Sequence, residues 1–252
     1  MATDLLSQPT SQLSRTAKEA FLSNATIVGG LPSLPSATYA RITLDDGTTK
    51  RIATIQAARG SAATLNVAAY ELDKILDLNF VAPAVVRPVN GQPAVVIWWL
   101  DGVVMDELSR RKGKTEPPNL DWWNKQFQVM RVFDELVANA YRDVNPALDL
   151  STVWDNLLIT KSWEIWLVDH TRTFQTRRSL NHPESLTQCD RSLLRKLKGL
   201  NVDAFTSRLA NYVSTEQIEA LESRRRLLVQ HFDGQIARQG ESAVLYDLPP
   251  RP

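Results

Sequence analysis

Apolar and polar positions alternate through "TYARITLDDGTTKRIATIQ", the period of a half-buried strand, and the alternation breaks at Asp45-Asp46-Gly47. Two strands joined by a turn are predicted there, because glycine reaches the positive φ that a tight hairpin needs. The period then lengthens. In "TLNVAAYELDKILDL", Leu65, Ala68, Ala69, Leu72, Ile75 and Leu76 recur on one helical face, with Asn66, Tyr70, Asp73 and Asp77 turned elsewhere. "FVAPAVVRPVNGQPAVVIWWLDG" returns to strand-like runs, divided by Pro88 and Asn90-Gly91 and closed by Asp101-Gly102.

Residues 106 to 120 combine many charges with Pro117-Pro118 and predict a solvated crossing. Helical spacing resumes with Phe127, Met130, Phe133, Val137 and Ala140, a core stripe. A long loop over "YRDVNPALDLSTVWDN" follows, and long loops in compact folds are more often functional than accidental. Leu157 to Thr160 and Trp163 to Val168 then predict a hairpin around Lys161-Ser162, with Thr160 opposite Trp163 and Asn156 facing Leu167. The last third is helical, with Ser214 and Gln217 as a capping box and Gly240 as the stop. Arg224-Arg225-Arg226 is expected on a solvated face.

Composition narrows the classes. The chain has 252 residues, 43 % of them hydrophobic, ample for a large core, and its 29 basic and 28 acidic residues leave a net charge of +1. So balanced a charge predicts no nucleic-acid footprint. A single cysteine, Cys189, allows no intramolecular disulfide and is expected to be an ordinary thiol. With no secretory signal and no apolar run long enough for a bilayer, the expectation is a cytoplasmic protein without membrane insertion.

The candidate chemistry lies at the ends of the predicted hairpin. Asn156 enters its first strand and Asp169 leaves its second, so two oxygen-bearing side chains flank one space, a cradle for a hard cation that keeps other positions for water and phosphate. Phosphoryl transfer also needs an acceptor-positioning group, for which Asp143 in "YRDVNP" is the candidate, and a covering lobe.

The order of a small β-rich lobe, a helical lobe, "YRD", then Asn and Asp thirteen residues apart resembles the protein-kinase-like fold. "NVAAYELDKILDLNFVAPAVVRPVNG" is similar to a helix and strand of secretory-pathway (Golgi casein kinase-like) kinases. "VDHTRTF" is similar to the Asp-x-x-Arg segment of those kinases and of HipA-like and phosphoinositide-kinase-like proteins, and the C-terminal third looks like that of uncharacterised bacterial members. The resemblance implies an α+β, bilobal protein-kinase-like fold. Residues 1–24 would be a lead-in, 25–102 a small antiparallel β-rich N-lobe with one helix, and 103–252 a mainly helical C-lobe.

It also implies site roles: Asn156 and Asp169 on magnesium or manganese, Asp143 with Arg142 in the catalytic set, Arg172 as loop anchor or phosphate contact, and Trp98, Trp99 and Leu100 as a hinge against adenine. Gln56 stands where the family carries its nucleotide lysine and Asn66 where it carries the partner glutamate; Glu71 with Lys50 or Lys74 is the candidate replacement. Gly29-Gly30 is an ordinary turn before it is a phosphate loop. The implied function is ATP-dependent phosphotransfer to the hydroxyl of a protein or small molecule. Tyr141 ahead of Arg142, where related kinases carry an Asp-Arg pair, together with Gln56 and Asn66, motivates an alternative, a pseudokinase that binds a nucleotide or protein without chemistry.

Overall fold

The computed structural model describes residues 13–30, 39–59, 62–140, 142, 154–249 and 251. It opens with a helix, α1 (Arg15–Asn24), whose first turn is capped by the Ser14 hydroxyl accepting from Ala17 N–H at 3.2 Å. An edge strand, β1 (Thr26–Gly29), leads to β2 (Ala40–Asp45) and β3 (Lys50–Ala57), which pair antiparallel from Ala40 opposite Ile55 to Asp45 opposite Lys50. Beyond the helix α2 (Thr64–Leu76), strands β4 (Ala84–Val89) and β5 (Gln92–Trp98) form the second hairpin. The five strands run in the order β1-β2-β3-β5-β4.

Strand alternation sorts the two faces. Ile42, Leu44, Ala53, Ile55, Ala94 and Val96 bury against Phe21 and Leu22 of α1. Val95, on the opposite face, joins the core of α2 and the C-terminal helices. The sheet is thus covered on both sides, and α2 lies inside the molecule. Asn66, Tyr70 and Asp73, expected to turn away from the core, are 3 %, 0 % and 0 % exposed. Asp73 tolerates burial because it accepts N–H bonds from Asn79, Phe80 and Val81 and pairs with Arg15 at 3.3 Å.

The expected crossing is instead structured as β6 (Val103–Asp106) and α3 (Glu107–Lys112). Charge misled the sequence reading here, because Asp106 caps the helix at Ser109 N–H, 2.6 Å, and Glu107 is buried by clamping Arg110 and Arg111. The helix α4 (Leu120–Val137) then carries the predicted core stripe at Phe127, Met130, Phe133 and Val137, whereas Ala140 lies past its end and is exposed. It leads toward β7 (Leu157–Thr160) and β8 (Ile165–Leu167), which complete a three-stranded sheet with β6.

That hairpin is displaced by one residue from the expected pairing. Leu157 faces Leu167 and Thr160 N–H bonds to Glu164 O at 3.1 Å, so Asn156 lies across from Val168. The turn has three residues, Lys161, Ser162 and Trp163, with Trp163 in the left-handed region at φ 62°. Gln126 holds it there: its Nε2 donates to Trp163 O and its Oε1 accepts from Ile165 N–H, each at 3.0 Å.

The remaining elements are β9 (Cys189–Asp190), α5 (Arg191–Gly199), α6 (Val202–Leu209), α7 (Thr215–Gln239), α8 (Glu241–Val244) and β10 (Leu245–Tyr246), with β10 parallel to β9. Ser214 and Gln217 form the anticipated capping box. Arg224, however, is fully buried rather than on a solvated face, donating to the carbonyls of Leu136, Gln175 and Arg177 beyond the helix. Cys189 is buried, and desolvation pushes its thiol pKa upward, as expected of an unreactive thiol. Among the described residues, no helix is long and apolar enough to cross a membrane.

Candidate functional site

Where β5 leaves the sheet, the chain passes through Trp98, Trp99 and Leu100 and enters β6; beside this passage lies a cavity of about 580 Å³. Its opposite wall is the exit of β8, with Leu167, Val168, Asp169 and His170. Backbone bonds tie the two sides together, since Leu167 N–H donates to Phe80 O at 2.8 Å and Val81 bridges to Leu167 in parallel. The cavity therefore sits between the five-stranded sheet and the β7–β8 hairpin.

Each expected residue has a definite place. Trp98, Trp99 and Leu100 line the cavity. Trp98 is 3 % exposed and meets Phe21 edge-on at 5.8 Å, so it serves the core as well. Trp99 is 37 % exposed, with the Arg41 guanidinium 4.4 Å above its ring. Gln56 is buried on the same face of β3 as Thr54, yet Thr54 is the β3 residue that lines the cavity. Glu71 lies outside it and pairs with Lys74 at 2.7 Å and Arg208 at 3.4 Å, the arrangement of a surface ion pair. Arg172 is exposed, and its carbonyl accepts from Ala140 N–H at 3.0 Å.

Asn66 joins the two sides. Its Nδ2 donates to the Tyr39 hydroxyl at 2.7 Å and to Ala63 O, while its Oδ1 accepts the His170 N–H at 2.9 Å. A neutral amide on α2 thereby grips the residue next to Asp169. Polar reach is retained without a positive charge.

Asp169 lines the cavity in the left-handed conformation, φ 55°. Its Oδ1 accepts from Thr171 N–H at 3.3 Å and from the Thr171 hydroxyl at 2.6 Å, which orients the carboxylate; no described residue hydrogen-bonds Oδ2. Asn156 is 6 % exposed, and Val168 N–H donates to its carbonyl at 3.1 Å. Its Oδ1 accepts from Arg142 Nη1 at 2.8 Å. An amide oxygen and a carboxylate oxygen are donor types that a hard cation takes, but Asn156 is not among the described residues lining the cavity and its Oδ1 is already held by the Arg142 guanidinium, so of the pair Asp169 alone faces that space. Among the described residues, no group of three or more His, Cys, Asp or Glu converges as a metal site.

Arg142, expected in the catalytic set, is buried and is not among the described residues lining the cavity. Its Nε and Nη2 make a two-pronged bond to Asp134 at 2.6 and 2.8 Å, and Asn139 Nδ2 donates to the same carboxylate at 3.0 Å. The guanidinium is too buried and too fully engaged to reach the cavity. Asp143 lies outside the described residues.

Sequence reasoning missed Tyr39, Thr54 and His170 as lining residues. His170 is the most distinctive: its ring is buried, meets Phe133 edge-on at 6.0 Å, and neither nitrogen has a hydrogen-bond partner among the described residues. Desolvation, then the nearby Arg142 charge, lower its pKa to about 3, so the imidazole is neutral. The charged residues lining the cavity are Asp101 and Asp169, with no lysine or arginine among those described.

The mixed α/β architecture, with its antiparallel sheet and following helices, is consistent with a kinase-like fold. One solved structure to which it is similar is that of the Helicobacter pylori proinflammatory kinase CtkA, with a TM-score of 0.52, 14 % identity, and 88 % of this chain and 98 % of that chain covered. At that identity the likeness concerns the fold alone. No family model matches the chain, and no curated protein does.

Proposed function

We propose that the chain is an ATP-dependent phosphotransferase of the atypical kinase-like type, bilobal in use, with the sheet of residues 25–102 covering a nucleotide held against the helical remainder. The observation that carries this reading is the placement of Asp169, oriented by Thr171, at one wall of a cavity whose other wall is the Trp98–Leu100 passage. The apolar wall offers a surface for a planar base, with the ring of Trp99 available for stacking. Asp169 would hold magnesium or manganese with Asn156 as the second ligand, and the ion would neutralise phosphate charge where no cationic side chain of the described residues lines the cavity. Within the chain, Arg142 fixes the Asn156 amide and Asn66 fixes the backbone beside Asp169. Asp143 is assigned to orient the acceptor hydroxyl.

A second reading is favoured by that same charge distribution: two carboxylates and no lysine among the described lining residues suit a module that binds a nucleotide or a protein without transferring phosphate. Thermal melts with ATP and magnesium or manganese test the shared element. At a hundredfold excess over Kd, binding adds about 2.7 kcal/mol of stability. The shift is expected in wild type and lost in Asp169→Ala; its absence from wild type overturns phosphotransfer and the nucleotide-binding form of the second reading. Nucleotide turnover then separates them. Activity abolished by Asp169→Ala and Asp143→Ala supports transfer, whereas binding without turnover supports the module.

A further inference from the structure

Arg41 stands apart from the other basic residues of the five-stranded sheet. Lys50 pairs with Asp45 at 3.6 Å, Arg51 pairs with Asp101 at 4.0 Å, and Arg87 donates to the carbonyls of Leu22 and Ala25 at 2.9 and 2.7 Å. Arg41 is exposed and makes no side-chain hydrogen bond or ion pair with a described residue; its guanidinium rests 4.4 Å above the Trp99 ring. Its backbone, by contrast, is held closely. Gly30, at φ 94°, lies so near that a Cβ there would collide with Arg41 O.

Strand register aims this residue at the cavity beside Asp169. Arg41 lies opposite Thr54 and Thr54 opposite Ile97, and residues directly opposed in antiparallel strands share a face. Thr54 and Ile97 line the cavity, as does Tyr39 two residues before Arg41, so Arg41 is the outer member of a cross-strand row whose inner two members form the wall. Trp99, on which the guanidinium rests, belongs to the same lining. Arg41 is therefore at the rim, outside the lining, on a long exposed stem. Within the lining the charged residues are Asp101 and Asp169; Arg51 faces the first, and Thr171 orients the second. A phosphate entering beside them would meet carboxylates alone, with Arg41 the uncommitted cation at the rim. An exposed cation–π contact is weak, and a guanidinium exchanges it for a two-pronged, charge-assisted pair with phosphate.

We propose that Arg41 is the phosphate-binding residue of this cavity, turning from the Trp99 ring onto the phosphates of a bound nucleotide. The proposal rests on the nucleotide-binding reading of the site and holds whether or not phosphate is then transferred. It supplies from β2 the positive charge that the Gln56 amide of β3 lacks. The same turn uncovers one face of Trp99, so phosphate capture and stacking of a base on that ring are coupled. A nucleoside without phosphate offers the guanidinium nothing, and the distinction can be measured.

Calorimetric titration of the full chain with ATP and magnesium, and separately with adenosine, tests it. Arg41→Gln is expected to weaken ATP about tenfold and to leave adenosine within about twofold. Arg41→Lys, which keeps the charge but not the fork, is expected to recover part of the loss. Arg195→Gln, at an exposed position on α5, removes the same charge away from the cavity and should leave both ligands within about twofold. A loss of ATP affinity below about twofold in Arg41→Gln, an equal loss for adenosine, or an equal loss in Arg195→Gln overturns the role of Arg41, while ATP binding by wild type leaves the nucleotide reading standing. Wild type that binds neither ligand overturns both.

Discussion

The two β-hairpins that flank the cleft are built on different principles. The β4–β5 turn consists of Asn90 and Gly91, both at positive φ, 52° and 77°, and Val89 faces Gln92 as a two-residue turn requires. Its register is written in adjacent residues of the right chemistry. The β7–β8 turn instead puts a tryptophan at φ 62° and has no glycine. It is imposed from a distance by the Gln126 amide and by Trp123, whose ring meets Trp163 edge-on at 5.7 Å. Because side chains alternate along a strand, a one-residue slip would turn the ends of this hairpin around. Its ends carry Asn156 and Asp169. The hairpin nearest the proposed chemistry thus depends on long-range support, whereas the scaffold hairpin supports itself.

Breaking that support should cost most where it is most buried. Arg142→Leu leaves Asp134 as an unpaired buried carboxylate and frees Asn156, so a loss of about 3–5 kcal/mol is expected in urea unfolding. If the loss is below about 1 kcal/mol, the Asn156 end holds itself in place without Arg142.

Acid should distinguish the hairpins next, because a neutral buried histidine follows β8 and none follows β5. With the folded pKa of His170 lowered to about 3 and an unfolded value near 6.5, the unfolded chain binds the extra proton between these values. Stability is therefore lost as pH falls through that window, at about 1.4 kcal/mol per pH unit. Relative to His170→Leu, wild type should lose about 2.5 kcal/mol between pH 6 and pH 4. Parallel stability curves for the two proteins would show that His170 titrates normally.

Gln126→Leu keeps the side-chain bulk but strands Trp163 O and Ile165 N–H, for an expected loss of about 2 kcal/mol. Faster hydrogen exchange at Ile165, and a smaller metal–nucleotide thermal shift, should accompany it. Asn90→Ala is the matching test on the local turn. It costs about 1 kcal/mol through a non-glycine residue at positive φ and should leave the ligand shift unchanged. Equal effects of the two substitutions on the ligand shift would dissolve the contrast.

Much of the sheet was legible because its signals are local. Asp45-Asp46-Gly47 and Asn90-Gly91 mark turns, and the alternation between them assigns the faces on which Ile42, Leu44, Ala53 and Ile55 are buried. The Trp98–Leu100 passage was also legible, since Asp101-Gly102 closes the strand before it. Less visible were charges buried by partners far along the chain. Arg224 reads as one of three consecutive surface arginines until the carbonyls of Leu136 and Gln175 are placed around it. Glu107 looks like part of a solvated run, although it anchors α3 from within. In the site, Asn66 carried an amide pattern whose bond to the His170 N–H spans 104 residues, beyond the range of any local rule.

The chain by itself determined the β2–β3 and β4–β5 hairpins, the helices α2, α4 and α7, the Ser214–Gln217 capping box and the candidacy of Asn156 and Asp169, because propensity, periodicity and turn chemistry act over a few neighbouring residues. Tertiary structure decided the register of the β7–β8 hairpin, the burial of Arg142 against Asp134 and Asn156, and the neutrality of His170. These depend on burial and on which groups meet across the core, quantities that a linear order of residues does not contain.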